Sequence, residues 1–174
     1  MNSTSVNDLI AELHALGLHF VIGPSKPRTS KRLAPSTLLA GLAQQTDGRL
    51  EMALIALFLY QPAFSEAIPN TLEKLDKKSK INLKLFYTAA MLLQQIYAKP
   101  LRHLRGQSAL KPLPDLFSEE LEVAPAGSPQ VRLRQLAVRH RILSGWSINW
   151  LGTYQYAAKR LITRLEKEVK WATR

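Results

Sequence analysis

Apolar residues recur along this chain at the three-and-four spacing of helices rather than at the two-residue spacing of strands. Val6, Leu9, Ile10, Leu13 and Leu16 form the first such stripe and predict a helix over 6–16. Ser5 stands before it as an N-cap, Asp8 lies three residues on, and Gly17 follows its end. Pro35 suits the first turn of a second helix, running to about Gln45. Asp47 is placed to cap a third, which reaches Tyr60. From Met52 to Leu59 that helix is apolar nearly all round, the composition of a helix at the centre of a bundle. A bilayer span needs about 20 such residues, and Pro62 closes this run early.

Residues 78–98 carry Ile81, Leu85, Ala89, Leu92 and Ile96 on one face and predict a long core helix. Its first turn holds Lys77, Lys78 and Lys80, which oppose the helix dipole, so helix stability alone does not explain them. Two further helices are predicted over 129–143 and 149–171. In the last, Trp150, Tyr154, Ala157, Ala158, Leu161, Leu165 and Val169 trace one face.

Between these stripes lie two proline-rich connections. Residues 23–35 hold three prolines, four cations and no acid, and read as a basic flexible linker. Residues 99–128 hold four prolines and include the stretch LPDLFSEEL, with Asp115, Glu119, Glu120 and Glu122 in and beside it. Asp115 or Ser118 can start a short helix there. Its apolar anchors and acids suit either a linear docking element or a segment folded back on the chain's own basic helices, and the second is preferred. The expected organisation is an N-terminal helix and connector (1–22), the linker (23–35) and a helical domain (36–174). The fold class is all-α, a bundle of five or six helices.

Composition narrows the chemistry. At 174 residues, 46% apolar and 21% charged, the chain has the make-up of a globular domain. Cysteine is absent, which removes disulfides, Cys-ligated zinc, iron–sulfur clusters and thiol catalysis together. No Walker loop, dinucleotide fingerprint, HExxH or GxSxG occurs, and the four histidines lack metal-ligand spacing. No cofactor and no metal are therefore expected. The first residues, MNSTSVNDLIAEL, do not form the basic-then-apolar pattern of a secretory leader, so a cytoplasmic location and no membrane contact are expected.

Charge adds the strongest functional signal. The net charge is +11, and residues 130–174 supply +8 of it with ten cations and two acids. Arg132, Arg139, Arg141, Lys159, Arg160, Arg164, Lys167 and Lys170 are candidate contacts for nucleic acid or an acidic protein partner. Trp146, Trp150 and Tyr154, each four residues apart, join them as candidates on one helical face, able to stack bases or anchor a partner. The preferred reading of the stripe is that they fill the core where two helices cross, because it continues into Leu161 and Leu165.

RQLAVRH, with Arg134 and His140, satisfies the Arg-x(4–6)-His pattern of the HEPN ribonucleases. That resemblance implies Arg134 stabilising a phosphate and His140 moving a proton at a 2′-hydroxyl. About one match is expected by chance in a chain this rich in arginine. On an unbroken helix the two residues lie about 120° apart, so a kink or a two-chain site is required.

RLEMALIALFLYQP, LFYTAAMLLQQIY, LPDLFSEEL and NWLGTYQYAAKRL resemble blocks of an uncharacterised family of short bacterial helical proteins. Members of that family are often encoded beside a nucleotidyltransferase-like protein. The resemblance implies a regulatory or antitoxin-like subunit of a two-gene system and transfers no site residue. The leading expectation is a non-enzymatic basic interaction module. The two-gene subunit and a metal-independent ribonuclease are its alternatives.

Overall fold

The computed structural model describes residues 4–19, 32–106 and 108–173. These form eight α-helices: α1 (Val6–Ala15), α2 (Pro35–Ala43), α3 (Gly48–Tyr60), α4 (Ile68–Glu73), α5 (Lys77–Ile96), α6 (Ala98–Arg105), α7 (Pro129–Ser144) and α8 (Trp150–Ala172). A 3-10 segment, Pro62–Ala67, joins α3 to α4. The fold is all-α, with two helices more than the upper expectation. The additions are α4, cut off by Pro62, and α6. Residues 99–105 read as part of an irregular stretch that holds Pro100, but that proline sits in the first turn of α6, where its missing N–H is not needed.

The centre follows from composition. Ala53 through Leu59 of α3 are buried without exception, as an all-round apolar helix requires. α5 packs along α3 with Leu85, Phe86, Ala89, Ala90 and Leu93 inward. α7 and α8 pack against this pair, as does α2, and α4 packs in turn on α2. No single helix among the described residues is long and apolar enough to cross a membrane.

α1 belongs to the same core rather than standing apart. Leu9 and Leu13 are fully buried, and α1 packs on α2. A Cβ at Gly41 would lie 2.5 Å from Leu9 Cδ2, so a glycine at that position is what lets the two helices meet. Of the linker expected at 23–35, residues 23–31 lie outside the described residues. At its end Arg32 pairs with the buried Glu12 at 3.0 Å, the Leu33 N–H donates to the same carboxylate, and Pro35 starts α2.

The second proline-rich connection is pinned along its length. Gln94 Oε1 accepts from the Leu113 N–H at 2.8 Å, and its amide donates to the Lys111 carbonyl. The Tyr87 hydroxyl donates to the Pro114 carbonyl at 2.7 Å. Residues 117–122 form turns rather than the short helix expected, with Asp115 capping the first through the Ser118 N–H. Phe117, Leu121 and Val123 are buried beneath.

Candidate polyanion-binding surface

The basic residues of α7 and α8 have opposite fates. On α7, Arg132 is only 8% exposed. Its guanidinium donates to Asp115 at 3.0 Å, Ser118 Oγ at 2.9 Å and the Ala124 carbonyl at 2.9 Å. Partial burial raises the Asp115 pKa, but hydrogen bonds from Ser118 and Arg132 together hold it below the ordinary carboxylate range. Arg139 pairs with Glu122 at 2.9 Å and donates to the Leu121 carbonyl. The acidic stretch 113–122 is thus docked on α7 and on Lys84 of α5, which pairs with Glu120. Arg132 and Arg139, expected to meet a partner, are spent inside the fold. Arg134 and Arg141 remain exposed on α7.

The aromatic trio divides as well. Trp150 and Tyr154 are buried, so neither is a free stacking platform. Trp150 lies flat on His140, with ring centroids 3.5 Å apart, and the Tyr154 hydroxyl is 2.6 Å from His140 Nδ1. Trp146 is not on their helical face. It precedes α8, in the turn capped by Asn149, and is 64% exposed.

His140 is 1% exposed, and burial pushes its pKa down to about 3. Arg134 is exposed on another face of the same uninterrupted helix. The pair required by the HEPN pattern therefore does not converge within this chain. A histidine held neutral this firmly is also a poor proton carrier near pH 7.

α8 keeps its charge outside. Lys159, Arg164, Lys167 and Lys170 are exposed and Arg160 is half-buried. Arg164 pairs with Glu168 at 3.4 Å, whereas Lys159, Lys167 and Lys170 have no ion pair among the described residues. Beside this face runs a groove of about 380 Å³, lined by Lys159, Arg160, Arg164, Lys167, Tyr60 and Tyr156. Tyr156 is 54% exposed.

Tyr60, at the end of α3, is held from two sides. The Arg105 guanidinium lies over its ring at 3.9 Å and donates to its carbonyl. Gly17 closes on its hydroxyl, with φ of +92° and room for a Cβ only 3.0 Å from Oη. Gly17→Ala is expected to cost about 1–3 kcal/mol, from a left-handed alanine pressed on that hydroxyl. A thermal melt checks it, and an unchanged midpoint would contradict the contact.

Sequence periodicity found the cations of this groove but not Tyr60, which arrives from α3, nor Arg105 of α6, which lies over its ring. Among the described residues no group of acids and histidines could hold a metal ion. No protein-family model, curated protein or solved structure matches the chain.

Proposed function

We propose that this protein is a non-enzymatic interaction module that binds single-stranded nucleic acid along the outer face of α8. The observation that carries this reading is the groove in which Lys159, Arg160, Arg164 and Lys167 lie beside Tyr60 and Tyr156. Cations gain affinity for a phosphate chain by releasing its counterions. The exposed ring of Tyr156 beside them adds base stacking, which a duplex does not offer. The basic residues that serve as internal partners, Arg132 and Arg139, are on α7, whereas Lys159, Lys167 and Lys170 of α8 are exposed.

The test is binding of labelled single-stranded RNA and duplex DNA across a salt series, with the RNA then run on a gel. The expected result is single-strand preference, log affinity falling steeply with log salt, and intact RNA. No binding near physiological salt, or cleaved RNA, would overturn the reading.

A second reading rests on a separate observation. Val131, Val138 and Ile142 share one side of α7 and are 42%, 58% and 61% exposed. An apolar stripe on a solvent face is the mark of a protein contact. It suits the regulatory subunit of a two-gene system, with a nucleotidyltransferase-like protein as the partner.

A further inference from the structure

A second groove, of about 630 Å³, lies where the N-terminal ends of α3, α5 and α8 meet the C-terminal end of α7. Its size falls within the range of small-molecule sites, which pair apolar walls with a few placed polar groups. The walls here are Met52, Ile81, Leu143 and Ile148, and the floor is Phe86, His140 and Trp150. Three observations point to an occupant.

The first is the rim. Trp146 and Ile148 are 64% and 44% exposed, although the loop that carries them is firmly held. Ser144 Oγ accepts from the Trp146 N–H at 3.2 Å. The Trp150 indole donates to the Trp146 carbonyl at 3.3 Å, and Asn149 Oδ1 accepts from the Gly152 N–H at 2.9 Å. These hydrogen bonds fix the loop at Ser144, Trp146 and Asn149 while its large apolar groups face water over a cavity.

The second is the floor. His140 is buried, and its Nδ1 is matched to the Tyr154 hydroxyl. No hydrogen bond to its Nε2 is formed among the described residues. Burial raises the Tyr154 pKa well above its ordinary value, so the phenol keeps its proton. When that hydroxyl donates to Nδ1, the ring proton sits on Nε2, the tautomer in which the imidazole offers a donor to the groove. The imidazole lines the groove, and its Nε2 is left for an occupant to match.

The third is the mouth. Lys77 and Lys78 stand there, exposed, at the start of α5. They oppose the dipole of their own helix, and an anion held at the groove mouth gives them a purpose. Glu51 of α3 is the acid that faces them. Burial pushes its pKa up to about 7, with Lys78 pulling it down and Asp47 pushing it up. At neutral pH this carboxyl is partly neutral and opposes an anion only in part.

We propose that this groove binds a small amphipathic carboxylate, its apolar body against Trp146, Ile81 and Met52, its carboxylate at Lys77 and Lys78, and an oxygen acceptor at its far end taking the His140 Nε2–H. The site is separate from the α8 groove and does not depend on nucleic-acid binding.

The probe is anilinonaphthalene sulfonate, an apolar anion that fluoresces when buried, titrated onto the full chain. Competitors are straight-chain fatty acids of eight to fourteen carbons, with and without a terminal hydroxyl. One saturable site is expected, weakened at least tenfold by Trp146→Ala and severalfold by Lys77→Gln with Lys78→Gln. All three are surface side chains, and thermal melts verify that the variants fold. Glu51→Gln is expected to tighten binding at pH 8 by removing a like charge. One hydroxy acid of the series should displace the probe better than its parent. An absence of saturable binding, no effect of Trp146→Ala, or equal displacement by dodecyltrimethylammonium would overturn the proposal. So would a hydroxyl that weakens every member. Self-association abolished by Trp146→Ala and insensitive to fatty acid would assign the groove to a second copy of the chain instead.

Discussion

Arg132→Ala is expected to lower the unfolding free energy by about 2–3 kcal/mol. Three acceptors lose their donor at once: Asp115, Ser118 Oγ and the Ala124 carbonyl. Breaking a fully buried ion pair costs about 3–5 kcal/mol. The loss here falls at or below the foot of that range because Asp115 is 43% exposed and can rehydrate. Denaturant unfolding measures it. The loss should be largely local to residues 113–124, so hydrogen exchange in that stretch should rise first. A change under about 0.5 kcal/mol would be the behaviour of an ordinary surface cation and would contradict the docked arrangement.

The second large effect is acid sensitivity at His140. Its folded pKa, about 3, lies below the ordinary value of 6.5. The unfolded chain therefore binds the proton first as pH falls. The contribution of a neutral His140 is fully present above about pH 6.5 and is lost progressively toward pH 3. At pH 5 the loss amounts to about 2 kcal/mol. Glu51 acts in the opposite sense. Its raised pKa favours the folded state below about 4.5 and withdraws that support as pH rises through about 7. Between pH 7 and 5 the two slopes partly cancel, and the wild-type curve conceals both. Glu51→Gln should uncover the full histidine slope. A His140 imidazole that titrates near 6.5 by NMR in the folded protein would contradict its burial.

Local signals made much of this fold legible. Ser5 caps α1, and Asp47 caps α3, where their side chains accept from Asp8 and Arg49 N–H groups. The all-round apolar run of α3 is the buried centre its composition implies. The misreadings share one physical cause, that spacing says nothing of which neighbours arrive from elsewhere. Trp146, four residues before Trp150, continues the helical count but lies beyond the cap at Asn149, so the spacing carried on where the helix did not. Arg132 and Lys159 are alike in sequence. Only the path of residues 113–124 across α7 decides that one is consumed and the other is not. The Lys77 and Lys78 pair, odd on α5 considered alone, makes sense once α3, α7 and α8 bring a groove to it. Pro100 reads as a breaker in the sequence, though a proline in a helix's first turn costs little.

The central claim is that α8, rather than α7, presents the polyanion-binding face. It is tested most directly by charge reversal on each helix in turn, with single-stranded RNA binding measured at fixed salt and across a salt series. Lys159→Glu, Lys167→Glu and Lys170→Glu together should weaken binding at least 30-fold and reduce the salt slope by about 2, from three lost phosphate contacts. Arg134→Glu with Arg141→Glu on α7 should weaken it less than about threefold, the long-range share of a screened charge. Equal losses from the two sets, or a larger loss from α7, would contradict the account.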